Sequence, residues 1–372
     1  MEKNIKIQIE TLTSKQQIQD SWNYIDSHAE ENFFLSWDWI AAWLEATLDK
    51  FDVFVCTATL SDKPIGMAIF AEVQGTRHRL LKSKQWWLHK TGDEKYDQIW
   101  IEHNDFLLDK NHAEAARHAM WCEIIKQKND IDEFILGMTT TDTLSAHKTC
   151  LPNFLRWNVI ESKGWQTQLT EWPDFDHYWQ TRSKNFKSQI KRSDKLLKAL
   201  NVEVCINTDN DSFQAGLQLA KPWHIQHWGA ESGFENELFT QHFHSVGKSS
   251  AQGKRQNLLT LVMKIDNKPV AVCLGFYNAT TLYFYLSAQE NIDDNRIKIG
   301  LYMHHQAIKW CFQNNLTCYD FLAGDYRYKR SFANKSTMYY LAHFQRNKFK
   351  FQVENKLRIL KNKIRQLSMA GS

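Results

Sequence analysis

The sequence lacks most of the short signatures that betray a chemistry. It has no C-x-x-C pair, and its seven cysteines (Cys56, Cys122, Cys150, Cys205, Cys273, Cys311 and Cys318) are odd in number and widely spaced. That argues against a disulfide framework or a zinc site and leads us to expect a reducing, cytoplasmic setting. No apolar run reaches the roughly 18 residues of a membrane span, and the polar, acidic start MEKNIKIQIETLTSKQQ does not read as a signal peptide. There is no G-x-S-x-G, no Walker A motif and no G-x-G-x-x-G, so serine hydrolase, nucleotide hydrolase and Rossmann dehydrogenase readings lose their usual support. Bulk charge of one sign is also missing. The formal net charge is +4, too small an excess to indicate DNA. His224 and His227, His242 and His244, and His304 and His305 have no carboxylate or Cys at zincin spacing, so no metal is expected.

The chain is nevertheless rich in core-forming material. Its 372 residues are long for one domain and suggest two, and 43% hydrophobic against 24% charged residues excludes disorder as the default. Aromatics stand out, with 15 Trp and 22 Phe. They fill cores and also line pockets for sugars, acyl chains and nucleotides.

Periodicity gives the same order of elements twice. In the first half, Asn4–Leu12 alternates as a strand, and Ser14–Ile25 reads as a helix. Ser36 caps a second helix, SWDWIAAWLEATL. FDVFVCTATL and IGMAIFAEV follow as strands joined by Ser61-Asp62-Lys63-Pro64, and QWWLH and QIWIEHNDFLL read as extended. Asn111–Lys126 is predicted helical, DEFILGM a strand, Thr141–His147 a helix and Trp157–Leu169 extended. The second half brings a helix at Asn185–Leu200, the strand VEVCINT, and helices from about Asp211 and Asn236. LLTLVMKI and PVAVCLGFY form a hairpin through Asp266-Asn267-Lys268, and LYFYLSA follows. A helix at Lys298–Gln313 leads to the short strand YDFL and then MYYLAHFQ. This is similarity of pattern, without a residue-level repeat. Lys348–Leu367 closes the chain as an amphipathic helix, with Val353, Leu357, Leu360, Ile364 and Leu367 at helical spacing among Lys356, Arg358, Lys361, Lys363 and Arg365. Packing of its apolar stripe on the domain is the expectation, with anionic lipid or RNA as the alternative.

Two segments carry candidate chemistry. The connection Gln289–Gly300 runs from a strand into a helix start, where free N–H groups and the helix dipole suit a phosphate. Arg296 and Lys298 add charge there, and Gly300 permits close approach. The other reading is a solvated basic loop. Downstream, Tyr319–Phe332 runs from a short apolar strand through Gly324 into a charged, aromatic turn. It is either a crevice presenting functional groups or surface charge on a turn. Pro222-Trp223-His224 and His227-Trp228 fall near one another on a helix and read as pocket lining or as plain helix surface.

The run LYFYLSAQE…G…YDFLAGDYRYKRSF resembles the CelD-like acetyltransferase domain, a branch of the GNAT superfamily. Asp320, Gly324, Asp325, Tyr328, Lys329 and Phe332 match the order of its D-F/L-x-G-D-x-x-Y-K-x-x-F/W pattern. Asn185–Arg192 is similar to its basic first helix, so the resemblance covers roughly Trp172–Phe344. SWDWIAAW and YDQIWIEHNDFLLD look like the first domain of two-domain members. Tyr328-Lys329-Arg330-Ser331-Phe332 also resembles an element of Fem-type aminoacyltransferases.

The resemblance implies an α/β fold of two tandem GNAT-like domains with mixed, mainly antiparallel sheets: residues 1–165, structural or acceptor-binding; 166–346, the acyltransferase; and the basic helix 347–372. It implies transfer of an acyl group from acyl-CoA, most simply acetyl-CoA, to an amine. The acceptor would be a small molecule such as an amino sugar or nucleotide-sugar, in the setting of exopolysaccharide synthesis. Lys329 is the candidate for stabilising an oxyanion or phosphate, Tyr285 and Tyr328 for donating protons, and Asp320 or Asp325 for orienting Lys329 or acting on the amine. Arg296, Lys298 and Gly300 are the cofactor-binding candidates, and Trp223, His224, His227 and Asp325 the substrate-binding ones. One departure stands out. Typical GNAT enzymes carry Arg/Gln-x-x-Gly-x-Gly/Ala at the pyrophosphate loop, whereas Arg296 and Gly300 are separated by three residues and no second Gly follows. An aminoacyl-tRNA donor, and a non-catalytic ligand-binding protein, are the alternatives. The matching helix start of the first half, Leu108–His112, has no Gly and carries Asp109, which would repel a pyrophosphate.

Overall fold

The computed structural model describes residues 5–77, 81–252 and 258–370; the side chains of residues 250–252 and 362–370, and so those of Lys363, Ile364, Arg365 and Leu367, lie outside the description. The first half comprises β1 (Lys6–Thr11), α1 (Gln19–Asp26), α2 (Trp37–Thr47), β2 (Asp52–Leu60), β3 (Lys63–Arg77), β4 (Leu81–Leu88), α3 (Glu94–Asp97), β5 (Leu107–Leu108), α4 (Ala113–Gln127), β6 (Glu133–Thr140), α5 (Thr141–Cys150) and β7 (Phe154–Gln168). The second comprises α6 (Phe175–Gln180), α7 (Lys184–Ala199), β8 (Val202–Asn207), α8 (Asn210–Trp228), α9 (Glu237–Gln252), β9 (Leu258–Ile265), β10 (Lys268–Tyr277), β11 (Thr281–Gln289), α10 (Ile299–Gln313), β12 (Cys318–Ala323), α11 (Arg327–Phe332), β13 (Lys335–Arg346) and α12 (Phe349–Ala370).

Local chemistry accounts for most boundaries. Ser183 caps α7 by accepting from the Phe186 N–H, Thr140 caps α5 and Asp209 caps α8. The hairpins β2–β3 and β9–β10 turn on two residues each, Ser61-Asp62 and Asp266-Asn267, all with φ between 47° and 64°, the left-handed pair that a tight hairpin needs. Ser36 precedes α2 as expected, but its side chain makes no capping bond. QIWIEHNDFLL is not a strand. Beyond the two-residue β5, which pairs with β3, it is an irregular crossing segment.

Among the described residues all strands join one sheet, in the order β1-β2-β3-β4-β6-β13-β7-β12-β11-β10-β9-β8 with β5 beside β3. Two of its pairings are parallel, β4 with β6 and β11 with β12, one in each half; the others recorded are antiparallel. The halves exchange strands at the centre. β13, the last strand of the chain, lies between β6 and β7, and β7 bridges β13 to β12. Each half-sheet is thus completed by a strand from the other half, and the division at 165/166 falls inside β7.

Alternation sorts the strand residues onto two faces. Val53, Val55, Met67 and Ile69 join Val272, Leu274 and Phe276 in a core shared by α1, α2, α8 and α9. Within it the Phe33 and Phe276 rings stack at 4.4 Å, and Trp39 of α2 meets His242 of α9 edge-on at 4.6 Å. On the other face, Cys56, Ala68, Phe70 and Phe134 pack under α4, while Ala271, Cys273, Phe284 and Tyr319 pack under α7 and α10.

The exchange requires a glycine at 137. There φ is +155°, and a Cβ would lie 2.6 Å from Leu341 Cα and 2.7 Å from the Tyr340 carbonyl oxygen, where the β6–β13 register shifts. Gly137→Ala is expected to lower the unfolding free energy in urea by about 2 kcal/mol or more. Gly300→Ala should not, because its Cβ would meet only Gln289 Oε1, at 3.5 Å. Equal stability of the two variants would show that the β6–β13 contact tolerates a side chain.

Candidate active site

The cleft that collects buried ionisable groups lies where β11 and β12 part. These parallel strands pair from Thr281↔Cys318 to Tyr283↔Asp320 and then diverge. The β10–β11 register shifts between Leu274, opposite Leu286, and Gly275, opposite Phe284, so Tyr285 is the extra residue of a bulge. Beyond Tyr283 the edge of β11 that faced β12 borders a cleft of about 260 Å³. Phe284, Tyr285, Leu286, Ala323 and Lys329 line it from the second half, and Trp100 and Glu102 from the first. A larger groove, about 980 Å³, runs between α2 and α9 past Lys15, Asp38, Glu45 and Lys248. The smaller cleft is the better site because Glu102 and Lys329 are buried and face it together.

Lys329 reaches the cleft from α11, a six-residue helix where a turn was expected. Its Nζ donates to the carbonyl oxygens of Phe321 (2.7 Å), Ala323 (2.6 Å) and, more distantly, Leu322 (3.5 Å). These carbonyls converge because Leu322 and Gly324 take φ of +59° and +114°, within and just past the irregularity by which β12 shifts register against β7 between Asp320 and Ala323. Burial pushes the ammonium down to about 8, against the pull of Glu102 and Asp320. Glu102 Oε2 accepts from the Ala323 N–H at 2.8 Å, and burial pushes this carboxyl up to about 7.

Beneath them lies a second polar group. Asp320 is buried; its Oδ1 accepts from the Leu322 N–H, and its Oδ2 accepts from Gln166 Nε2 and lies 2.9 Å from His103 Nε2. Tyr339 Oη is 2.8 Å from the same nitrogen. Burial acts to lower the His103 pKa, but the hydrogen bond to Asp320 and that carboxylate's charge win and raise it. β13 therefore supports the site through Tyr339.

Of the expected catalytic residues, Lys329 and Tyr285 line the cleft. Tyr285 Oη accepts from the Trp100 N–H (3.1 Å) and donates to the Trp100 carbonyl (3.2 Å), and burial pushes its pKa far up. Asp320 lies under the cleft. Tyr328 stacks on His304 at 5.2 Å in the core beneath α10. His304 itself is buried, with Nδ1 2.8 Å from Tyr319 Oη, and burial lowers it to about 3. Among the substrate candidates, His224 lines the cleft, with Nδ1 2.8 Å from Ser232 Oγ and burial lowering it to about 4. Trp223 packs on the shared core, His227 is exposed against Trp228, and Asp325 is exposed and paired with Arg330 and Trp165.

Arg296, Lys298 and Gly300 do gather at the start of α10. Arg296 is paired with Asp294 at 2.7 Å and largely exposed, so part of its charge is already answered. The Lys298 N–H donates to Ser193 Oγ of α7. In the first half, Asp109 is buried and accepts from the Asn111 N–H ahead of α4.

Sequence reasoning missed Trp100, Glu102 and His103. The signal was an acid and a histidine embedded in the apolar run QIWIEHNDFLL, which an exposed strand face would also explain.

With this geometry in place, the likenesses to other proteins become informative. Residues 183–330, from the cap of α7 into α11, match the acetyltransferase (GNAT) domain family. No curated protein matches the chain. Among solved structures, FemX is similar at 11% identity and a TM-score of 0.56, over 89% of this chain and 97% of its own. A conserved protein of unknown function from Bacteroides thetaiotaomicron is similar at 13% identity and 0.54, over 90% of this chain and 100% of its own. L-PGS from Bacillus licheniformis is similar at 10% identity and 0.50, over 85% and 93%. At such identities the likeness concerns the fold. The chain has a mixed α/β fold of two tandem GNAT-like halves, as the resemblance implied.

Because Lys329 holds three carbonyls in the interior, Lys329→Met should cost about 2–4 kcal/mol of unfolding free energy. A variant as stable as wild type in urea would mean that the end of β12 holds its shape without the ammonium.

Proposed function

We propose that the chain is an acyltransferase that moves an acyl group from acyl-CoA, most simply acetyl-CoA, to the amine of a small acceptor. The observation that carries this reading is the meeting of Glu102 and Lys329 in one cleft beside the parting strands β11 and β12. Acyl transfer from a thioester to an amine needs a base for the amine proton, donors for the tetrahedral oxyanion and an exit for the thiolate. A carboxyl poised near 7 is suited to the first task at neutral pH. Main-chain N–H groups on the β11 edge between Phe284 and Leu286 are suited to the second. The Lys329 ammonium, committed to carbonyls, serves by holding the cleft open and offsetting negative charge as it develops.

In the proposed sequence the acceptor nitrogen bonds to the acyl carbon, its proton passes to Glu102, the C–S bond breaks and the thiolate leaves with its electron pair. Tyr285 keeps Trp100 in place, and Asp320 with His103 keeps the end of β12 in place. The start of α10 at Lys298 and Gly300 would take the donor's phosphates. Trp100 and His224 give the acceptor side an aromatic wall with a polar edge, which suits an amino sugar or nucleotide-sugar. Polysaccharide synthesis remains the proposed setting.

The test is thiol release from acetyl-CoA in the presence of a panel of amino sugars and their nucleotide derivatives, followed across pH. A base must be ionised, so kcat/KM should rise with pH through about 7. Glu102→Gln, which retains an acceptor for the Ala323 N–H, should lower kcat by about 10²–10⁴-fold and remove that limb. Unchanged kcat in a folded Glu102→Gln protein would take Glu102 out of the chemistry.

A further inference from the structure

The expected reason for the apolar stripe of the C-terminal helix was packing on the domain. The structure places the stripe on the other side. α12 docks through Phe351, which is fully buried, and through Glu354, whose carboxylate accepts from Arg77 Nε (2.8 Å) and Nη2 (3.0 Å) and from Gln345 Nε2 (3.1 Å). Arg77 continues inward to Glu133, which also holds Gln345 and His343. Arg358 lies over the Trp157 ring at 4.0 Å. The docked face of α12 is thus largely an ion-pair and cation–π face.

The other apolar residues whose side chains are described in α12 face solvent. Phe349, Val353, Leu357 and Leu360 are 79%, 39%, 61% and 55% exposed. Their spacing of four, four and three puts them on one stripe, and the sequence continues it with Ile364 and Leu367. By helical position, Lys356 borders this stripe on one side, and Lys350 and Lys361 border it on the other. Lys356 and Lys361 are exposed, while Lys350 is engaged by Asp132 and the Lys82 carbonyl. Charge is concentrated here. Residues 348–367 carry seven Lys or Arg against one Glu, a net of +6 where the whole chain carries +4, so the remainder is net negative.

We propose that α12 is a membrane-surface helix: its stripe inserts into the interface of an anionic phospholipid bilayer while the flanking lysines meet the head groups. An apolar strip edged by cations is the pattern that such an interface satisfies, since lysine stems reach along apolar surface and keep their heads at the phosphates. The helix lies on the bilayer and does not cross it; no described helix is long and apolar enough to cross one. A second copy seated stripe to stripe would bring these lysines against their counterparts. A nucleic acid would use the charge and leave the apolar strip uncovered. Docking through Glu354 holds the strip outward, so no unfolding is needed for contact.

The test is co-sedimentation of the full chain with vesicles of phosphatidylcholine alone and of phosphatidylcholine with phosphatidylglycerol. Binding is expected to the anionic vesicles, weakening as salt shortens the reach of charge. Val353→Gln, Leu357→Gln and Leu360→Gln, combined, leave the docked face intact and should weaken partitioning at least about tenfold, because each removes an apolar side chain that insertion would take out of water. Circular dichroism and urea unfolding report whether the variant keeps its fold. Lys356→Glu with Lys361→Glu should weaken anionic binding without creating binding to the neutral vesicles. The proposal is overturned if the full chain ignores anionic vesicles. It is equally overturned if the triple variant, folded, binds them as well as wild type. A dimer that the triple variant loses, or retention by an RNA oligonucleotide, seen without vesicle binding, would assign the stripe or the charge to another partner and reject this one.

Discussion

The strand exchange at the centre of the sheet is the constraint on which the rest depends. β13 cannot lie between β6 and β7 unless the two halves fold as one body. Once it does, the segment between α3 and β5 crosses over the second half, and Trp100 and Glu102 arrive at the point where β11 and β12 part. Tyr339 of β13 then supports His103, which meets Asp320. The candidate cleft, lined mostly by residues within the stretch that matches the GNAT domain family, is therefore completed by residues of the other half, and a cut at the apparent domain boundary would pass through β7.

The energetics of that site follow from its dryness. A lysine and a glutamate are both withdrawn from water a short way from one another, and both are pushed toward neutrality, to about 8 and about 7. Lys329 is tolerated because three carbonyls accept from it, and those carbonyls point its way only because Leu322 and Gly324 carry the strand into left-handed backbone. Each feature depends on the next, which is why a strained turn and a buried ion occur together. The same logic recurs at α12, where a buried Glu354 meets Arg77 and fixes which face of the helix is left to solvent.

What was legible in the sequence was local. The hairpins at Ser61-Asp62 and Asp266-Asn267 were readable because tight turns are decided within a few residues, whereas the caps Ser183, Thr140 and Asp209 emerged only in the structure, and the one cap read from sequence, Ser36, makes no capping bond. Residue order singled out the start of α10 at Arg296–Gly300 and the element bearing Lys329 as candidates, and Lys329 lines the cleft. The exchange was not, since β7 and β13 read like any other strands and period says nothing of the partner. Glu102 was hidden in an apolar run that read as extended, and α11 in a charged run that read as a turn. In α12 the period told which residues share a face. It did not tell which face is buried, because that was settled by one buried ion pair at long sequence distance.

The most direct measurement is the crystal structure of the chain soaked or co-crystallised with a non-transferable thioether analogue of acetyl-CoA. The account requires the pantetheine arm to lie between the diverging edges of β11 and β12, the acyl carbonyl at the Phe284–Leu286 edge within reach of Glu102, and the phosphates at the start of α10. An analogue bound instead at the β4–β6 divergence of the first half, or in the groove between α2 and α9 with the Glu102 cleft empty, would contradict it.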